Sequence, residues 1–273
     1  YNDVFDWGVG FELYEYAPNE LISADINYNN IVGNDYGIYN WLTTTFNAQC
    51  NWWGDPLGPN MGGDTTFGPL IVCPWLDDMY PYGDCIGGVV AENIDTGEFY
   101  CCIQCAIDDA LPYHTIQVYP GIHEELLYID KPITLLGASH GVCKKGYVVP
   151  TDYSWDDTTE SIIQPPVGYE DDLLVKIYDT DDVTFDGFIL QALERGSSGN
   201  RMLMHVEAQT QTMNNINIIN NIIGPNTNLL DQDGNKGRMN LDLDLNPYDA
   251  SIGIVDSSIS CNKIFDSKGN GDN

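Results

Sequence analysis

The sequence is poor in positive charge. Ten Lys and Arg stand against 41 Asp and Glu in 273 residues, a formal net charge of −31. Nucleic acids and anionic lipid surfaces are gripped by clustered Lys and Arg. No such cluster exists, and the three arginines, Arg195, Arg201 and Arg238, sit in no catalytic motif. No apolar run approaches the ~18 residues of a membrane span. An initiator Met and a secretory leader are also lacking, so a start at Tyr1 reads as a processed mature chain or a piece of a longer one. No Asn-x-Ser/Thr acceptor is present, nor a Gly-rich phosphate loop between strand and helix. The four histidines, His114, His123, His140 and His205, form no nucleophilic constellation and read as surface or corner residues.

What is present points to a folded β protein. Apolar residues make up 43% of the chain, too many for an acidic disordered tail. The 25 Asn, 27 Gly, 17 Tyr and 14 Pro combine turn formers with β formers. Eight cysteines, Cys50, Cys73, Cys85, Cys101, Cys102, Cys105, Cys143 and Cys261, are an even number at irregular spacing. That pattern favours disulfides and an extracellular or cell-surface location. A zinc site built on Cys101, Cys102 and Cys105 would need a second Cys/His pair at ligand spacing, which is missing.

Strand-like runs recur about every 20 residues. Ile26–Asn34 is echoed by Ile216–Gly224 and, more loosely, by Ser258–Phe265. Leu173–Ile177 and Val183–Leu190 are further half-buried runs. Alternating apolar side chains followed by Asn and Gly describe strands that face inward on one side and then turn sharply. One stretch reads as a helix: Ile103, Ala106, Ile107 and Ala110 share a face, and Pro112 ends it. The strand Thr115–Gly121 follows, then a strand pair in Tyr128–Gly137 broken at Lys131-Pro132.

Residues 103–137 resemble the opening of right-handed parallel β-helix proteins of the pectin-lyase-like superfamily. The matching residues are Ile103-Gln104, Ala106-Ile107-Asp108, Thr115-Ile116, Val118, Pro120-Gly121, Glu124 and Lys131-Pro132-Ile133-Thr134-Leu135. His114 departs where the family often has Asp, and Ile122 where Tyr is common. Asn47–Pro59, with Asn51-Trp52-Trp53-Gly54 at its centre, is similar to the segment that closes many such domains. The resemblance implies an all-β right-handed parallel β-helix with a short capping helix. It speaks for fold and is nearly silent on activity.

The order is permuted, because the closing motif precedes the opening one. Residues 1–75 read as C-terminal-type rungs with their closing segment, 76–88 as a linker, and 89–273 as capping helix and N-terminal-type rungs. A stack cut between rungs leaves backbone groups unpaired. A tandem array, docking of the halves within one molecule, or head-to-tail completion by neighbouring copies would each satisfy them.

For cations, the spacing of Asp231, Asp233, Asn235 and Asp242 suits a calcium loop, with Asp244 as a further ligand, although its glycines depart from the EF-hand pattern. Asp179–Asp182 reads as a solvated corner. No catalytic residue is assigned; Asp186 is the least arbitrary carboxylate. Trp41, Trp52, Trp53, Trp75 and Trp155 fit rung packing and end capping, or alternatively a sugar-stacking platform. The expectation is a secreted structural protein: an acidic, disulfide-braced subunit of a cell-surface layer, sheath or filament, with itself as partner. The alternatives are a polysaccharide-binding or -cleaving β-helix and a calcium-dependent adhesin module.

Overall fold

Runs with an apolar residue at every second position become short strands, and the corners between them take left-handed backbone at Gly and Asn and also at Cys, Tyr and Asp. Cys50, Asn220 and Cys261 have φ of 54°, 59° and 57°. The computed structural model describes residues 1–14, 24–166, 173–192, 202–226, 240–245 and 251–265. The chain forms two units, 1–89 with 99–101, and 90–98 with 102–273.

In the first unit the strands are β1 (Asp3–Phe5), β2 (Val9–Leu13), β3 (Asn30–Val32), β4 (Tyr36–Asn40), β5 (Phe46–Asn47), β6 (Thr66–Phe67), β7 (Leu70–Ile71), β8 (Trp75–Leu76) and β9 (Cys85–Gly87). Three parallel stacks recur as the chain passes round. β1 pairs with β3, whose Asn30 bridges to Trp52. β2, β4 and β6 form a sheet in that order. β5 pairs with β7, and Asp25 bridges to Asn47. β8 and β9 are antiparallel. Ile26, Ile31, Ile38, Ala48 and Trp53 form the core.

The Asn51-Trp52-Trp53-Gly54 motif now has a physical reading. Trp52 extends the β1–β3 stack, and the fully buried Trp53 ring fills the core. A Cβ at Gly37 would crowd this core, 2.9 Å from Ile31 Cγ2 and 3.0 Å from Asp64 Cβ and the Trp53 ring. Asn51, fully buried, donates through Nδ2 to the carbonyls of Ile26 and Ala48, the latter at 2.7 Å. Its Oδ1 accepts the Asn29 backbone N–H at 2.9 Å, and Asn29 Oδ1 accepts that of Asn2 at 2.8 Å. The three asparagines form a ladder across successive passes.

The second unit begins with β10 (Ala91–Asn93) and the helix α1 (Ile103–Asp109); β11 (Glu98–Tyr100), between them in sequence, has Glu98 in the second unit and Phe99 and Tyr100 in the first. Then come β12 (Thr115–Val118), β13 (Gly121–Glu124), β14 (Leu127–Ile129), β15 (Thr134–Leu136), β16 (Ser161–Gln164), β17 (Leu173–Tyr178), β18 (Val183–Asp186), β19 (Phe188–Ala192) and β20 (Met202–Ala208). β21 (Met213–Asn214), β22 (Ile216–Ile219), β23 (Ile222–Asn226), β24 (Leu241–Leu245), β25 (Ile254–Val255), β26 (Ser258–Ser260) and β27 (Lys263–Ile264) complete it. Three sheets run β11-β10-β12-β15-β18-β22-β26, β13-β16-β19-β23-β27 and β14-β17-β20-β24, and β21 pairs with β25. From β12 onward every pairing is parallel, and each pass adds one strand to each sheet until the last. The chain is therefore all-β with one short helix among the described residues, its strands mostly in parallel sheets, compatible with a solenoid-like fold.

Alternation buries one side of these sheets, as in β12 and β14, where Ile116, Val118, Leu127 and Ile129 point inward. β16 and β19 are buried on both faces, because Trp155 and Phe265 pack over Ile162, Ile189 and Ile222. The α1 end is closed by side chains. The Glu125 carboxylate accepts the N–H groups of Ile103 and Gln104 at 2.9 and 3.0 Å. Lys131 Nζ donates to the carbonyls of Asp108 and Ala110 at 2.8 and 3.1 Å. These contacts satisfy both helix ends with charges of the sign the helix dipole favours.

All eight cysteines are paired: Cys50–Cys85, Cys73–Cys101, Cys102–Cys105 and Cys143–Cys261. Four disulfides fit an oxidising environment, and no helix among the described residues is long and apolar enough to cross a membrane.

Replacing Asn51 by Ala strands two buried carbonyls and removes the acceptor of Asn29. Urea unfolding should show a loss of about 3 kcal/mol, against a few tenths for truncating an exposed side chain such as Lys145.

Candidate functional site

Of the residues proposed for calcium, Asp231, Asp233 and Asn235 lie outside the described residues. Asp242 lies in β24, its Oδ2 3.7 Å from His205 Nε2, with Asp244 Oδ2 at 4.0 Å from the same nitrogen. No group of three His, Cys, Asp or Glu placed to hold a metal occurs among the described residues. Asp186 is buried and accepts from Gly141 N–H at 3.1 Å and Asn220 Nδ2 at 2.8 Å, so it joins strand connections. The corner at Asp179–Asp182 is more than solvated. Asp179 accepts the N–H groups of Gln209 and Thr210, Asp181 that of Asn214, and Asp182 the amide of Asn215. Burial raises the Asp179 carboxyl, but the Thr210 hydroxyl and these N–H groups outweigh it and hold it below the usual value.

The histidines need correction. His123 and His205 are buried, 5% and 8% exposed. They sit at inward or packed strand positions that a reading of scattered single residues could not identify. Both ring nitrogens of His205 are buried without a hydrogen-bond partner. It stands in register between Lys176 and Asp242, while Lys176 Nζ pairs with Glu207 at 2.6 Å.

Two open ends stand out. In the second unit β24, β25, β26 and β27 each have a parallel neighbour on one side only among the described residues. Leu243, Leu245, Val255, Ile259 and Ile264 are exposed there. Between the last passes lies a recess of about 270 Å³ lined by Val206, Ile216, Ile218, Leu243, Ile254, Ser257 and Ile259. In the first unit β1 and β2 are likewise end strands, and Tyr1, Phe5 and Trp7 are exposed beside them. Open strand edges with apolar side chains are templates for pairing with another chain.

The tryptophans divide between roles. Trp52, Trp53 and Trp155 serve packing, and Trp75 lies against the first-unit core. Trp41 is exposed. Its ring lies 4.4 Å from that of Tyr39, which stacks on Phe67 at 4.4 Å. The Trp41 indole N–H donates to Glu12 at 3.0 Å. The ladder asparagines were missed in the sequence, although the repeated Asn at the end of each rung was its signal.

Comparison with protein-family models, with curated proteins and with solved structures finds no match to this chain.

Burial pushes the His123 imidazole below its ordinary value, more than its bond with the Tyr119 carbonyl and the Glu125 charge raise it. The unfolded chain binds this proton more readily than the folded one. Its contribution to stability is therefore complete above the unfolded value near pH 6.5 and is lost as pH falls toward the lower folded value. Chemical unfolding between pH 7.5 and 5 should show a greater stability loss in the native chain than in His123→Gln. Equal losses would contradict it.

Proposed function

We propose that the chain is a secreted structural protein, an acidic, disulfide-braced parallel β-helix subunit of the pectin-lyase-like type that assembles head to tail into a cell-surface layer, sheath or extracellular filament. The observation that carries this reading is the pair of open ends. Parallel strands with unpaired edges and exposed apolar side chains are completed most simply by another pass of the same kind. Four disulfides support an extracellular location.

Like charge opposes such assembly, since each copy carries −31. Salt screens that repulsion over a Debye length of about 10 Å at 0.1 M. Sedimentation and electron microscopy from 20 mM to 1 M NaCl should show end-to-end polymers that grow with salt. A chain that stays monomeric throughout would overturn the reading.

The exposed Tyr39, Trp41 and Phe67 group supports a second reading, polysaccharide binding, because flat sugar faces stack on such rings. Under it, Trp41→Ala lowers glycan affinity about tenfold or more with an unchanged melting temperature. No binding by the native chain across acidic and neutral polysaccharides would remove this reading.

A further inference from the structure

The asparagine ladders run one way. The backbone N–H of each ladder residue donates to the Asn Oδ1 one pass on: Asn2 to Asn29 at 2.8 Å, Asn29 to Asn51 at 2.9 Å, Phe188 to Asn221 at 2.9 Å, Asn221 to Asn262 at 2.8 Å. The Asn Nδ2 donates back to a carbonyl three residues before the preceding ladder residue. Asn51 does so to Ile26, Asn221 to Phe185 at 3.0 Å, and Asn262 to Ile218 at 2.7 Å. The residue after each ladder residue donates its N–H to the preceding ladder carbonyl: Asn30 to Asn2 at 3.0 Å, Trp52 to Asn29 at 2.9 Å, Lys263 to Asn221 at 2.8 Å. The two units, described separately, thus share one local geometry.

A one-way ladder leaves different groups at its two ends. At Asn262, the last residue of the second unit's ladder, the groups left over among the described residues are its N–H, its carbonyl and the carbonyl of Ile259. At the first residue of the first unit's ladder they are, among the described residues, the Oδ1 of Asn2 and the N–H of Asp3, while Asn2 Nδ2 rests on Asn29 Oδ1 at 3.1 Å. Each group left at one end finds its complement at the other.

We propose that a second copy of this chain docks its β1 on β27, in the register that continues the ladder. Asn262 N–H donates to Asn2 Oδ1 of the incoming copy, Asp3 N–H donates to the Asn262 carbonyl, and Asn2 Nδ2 turns to the Ile259 carbonyl. This rests on the head-to-tail reading and gives it an interface. Charge agrees with the register. Asp3 stands over Asn30 in its own unit, and Lys263 over Ile222 in the other, so the continued stack sets Asp3 beside Lys263 and Val4 beside the exposed Ile264. Side chains in register across this stack do reach one another, since Asn30 Nδ2 donates to Asp3 Oδ1 at 2.8 Å, an atom that also accepts the Tyr1 hydroxyl. Lys263 has no ion-pair partner among the described residues and is one of only ten Lys and Arg in the chain.

The test mixes full-length chain at natural isotope abundance with ¹⁵N-labelled chain at high salt, treats the assemblies with a carbodiimide, and maps amide cross-links by mass spectrometry. The expected product joins Asp3 of one isotope to Lys263 of the other. Lys263→Glu should weaken assembly about tenfold or more, and Asp3→Lys added to it should restore assembly. Circular dichroism melting checks that both variants fold. Polymers whose cross-links fall elsewhere or join only like isotopes, and which ignore the charge reversal, overturn the register while leaving head-to-tail assembly standing. Absence of any polymer from the native chain overturns both.

Discussion

The constraint behind this structure is that every backbone donor and acceptor in a stack of parallel passes needs a partner on the next pass. Within the stack the strands supply one another. Corners are harder, because the chain leaves the strand direction there, and buried asparagines and carboxylates take over. Asn51 and Asn221, both fully buried, are tolerated only because each of their side chains is bonded to the passes beside it. At the start of the second unit α1 covers the first pass, its own ends satisfied by Glu125 and Lys131. At β24, β26 and β27 nothing equivalent appears among the described residues, and the constraint is left open.

The same constraint accounts for part of the charge. Asp64 accepts the N–H groups of Gly33 and Asn34, and Asp179 and Asp181 do the same for the following pass. A short carboxylate at a corner reaches backbone N–H groups one strand spacing away and needs no cation to do so. The few cations are used locally. Lys131 caps a helix, Lys144 pairs with the buried end of Glu160 at 2.8 Å, and Lys176 pairs with Glu207. The acidity is thus partly structural and partly a solvated surface.

Much of the fold was legible because it is local. The helix at Ile103, the strands at Thr115 and Thr134 on either side of Lys131-Pro132, and the rungs at Ile216 and Ser258 all follow from alternation and corner residues. Stacking was legible in part, through the repeated rung pattern. What the sequence hides is which polar residues turn inward. His123 and His205 differ from surface histidines only by their neighbours across the stack, which lie 40 and 37 positions away at Ile163 and Asp242. The tandem Trp52 and Trp53 divide between a strand position and the core, where the Trp53 ring lies close over Gly37 of another pass.

Direction follows from chemistry as well as topology. An asparagine presents an acceptor and a donor to different passes, so a ladder of them has two unlike ends, whereas a run of stacked Ile or Val has equivalent ones. Unlike ends join head to tail and not head to head. A contact between unlike surfaces does not close on itself unless its rotation returns to the start, and otherwise it propagates. Successive parallel strands add translation along the stack at about 4.8 Å per pass. A joint that continues the ladder would therefore set the first strand of an incoming copy one strand spacing beyond the last pass of the second unit.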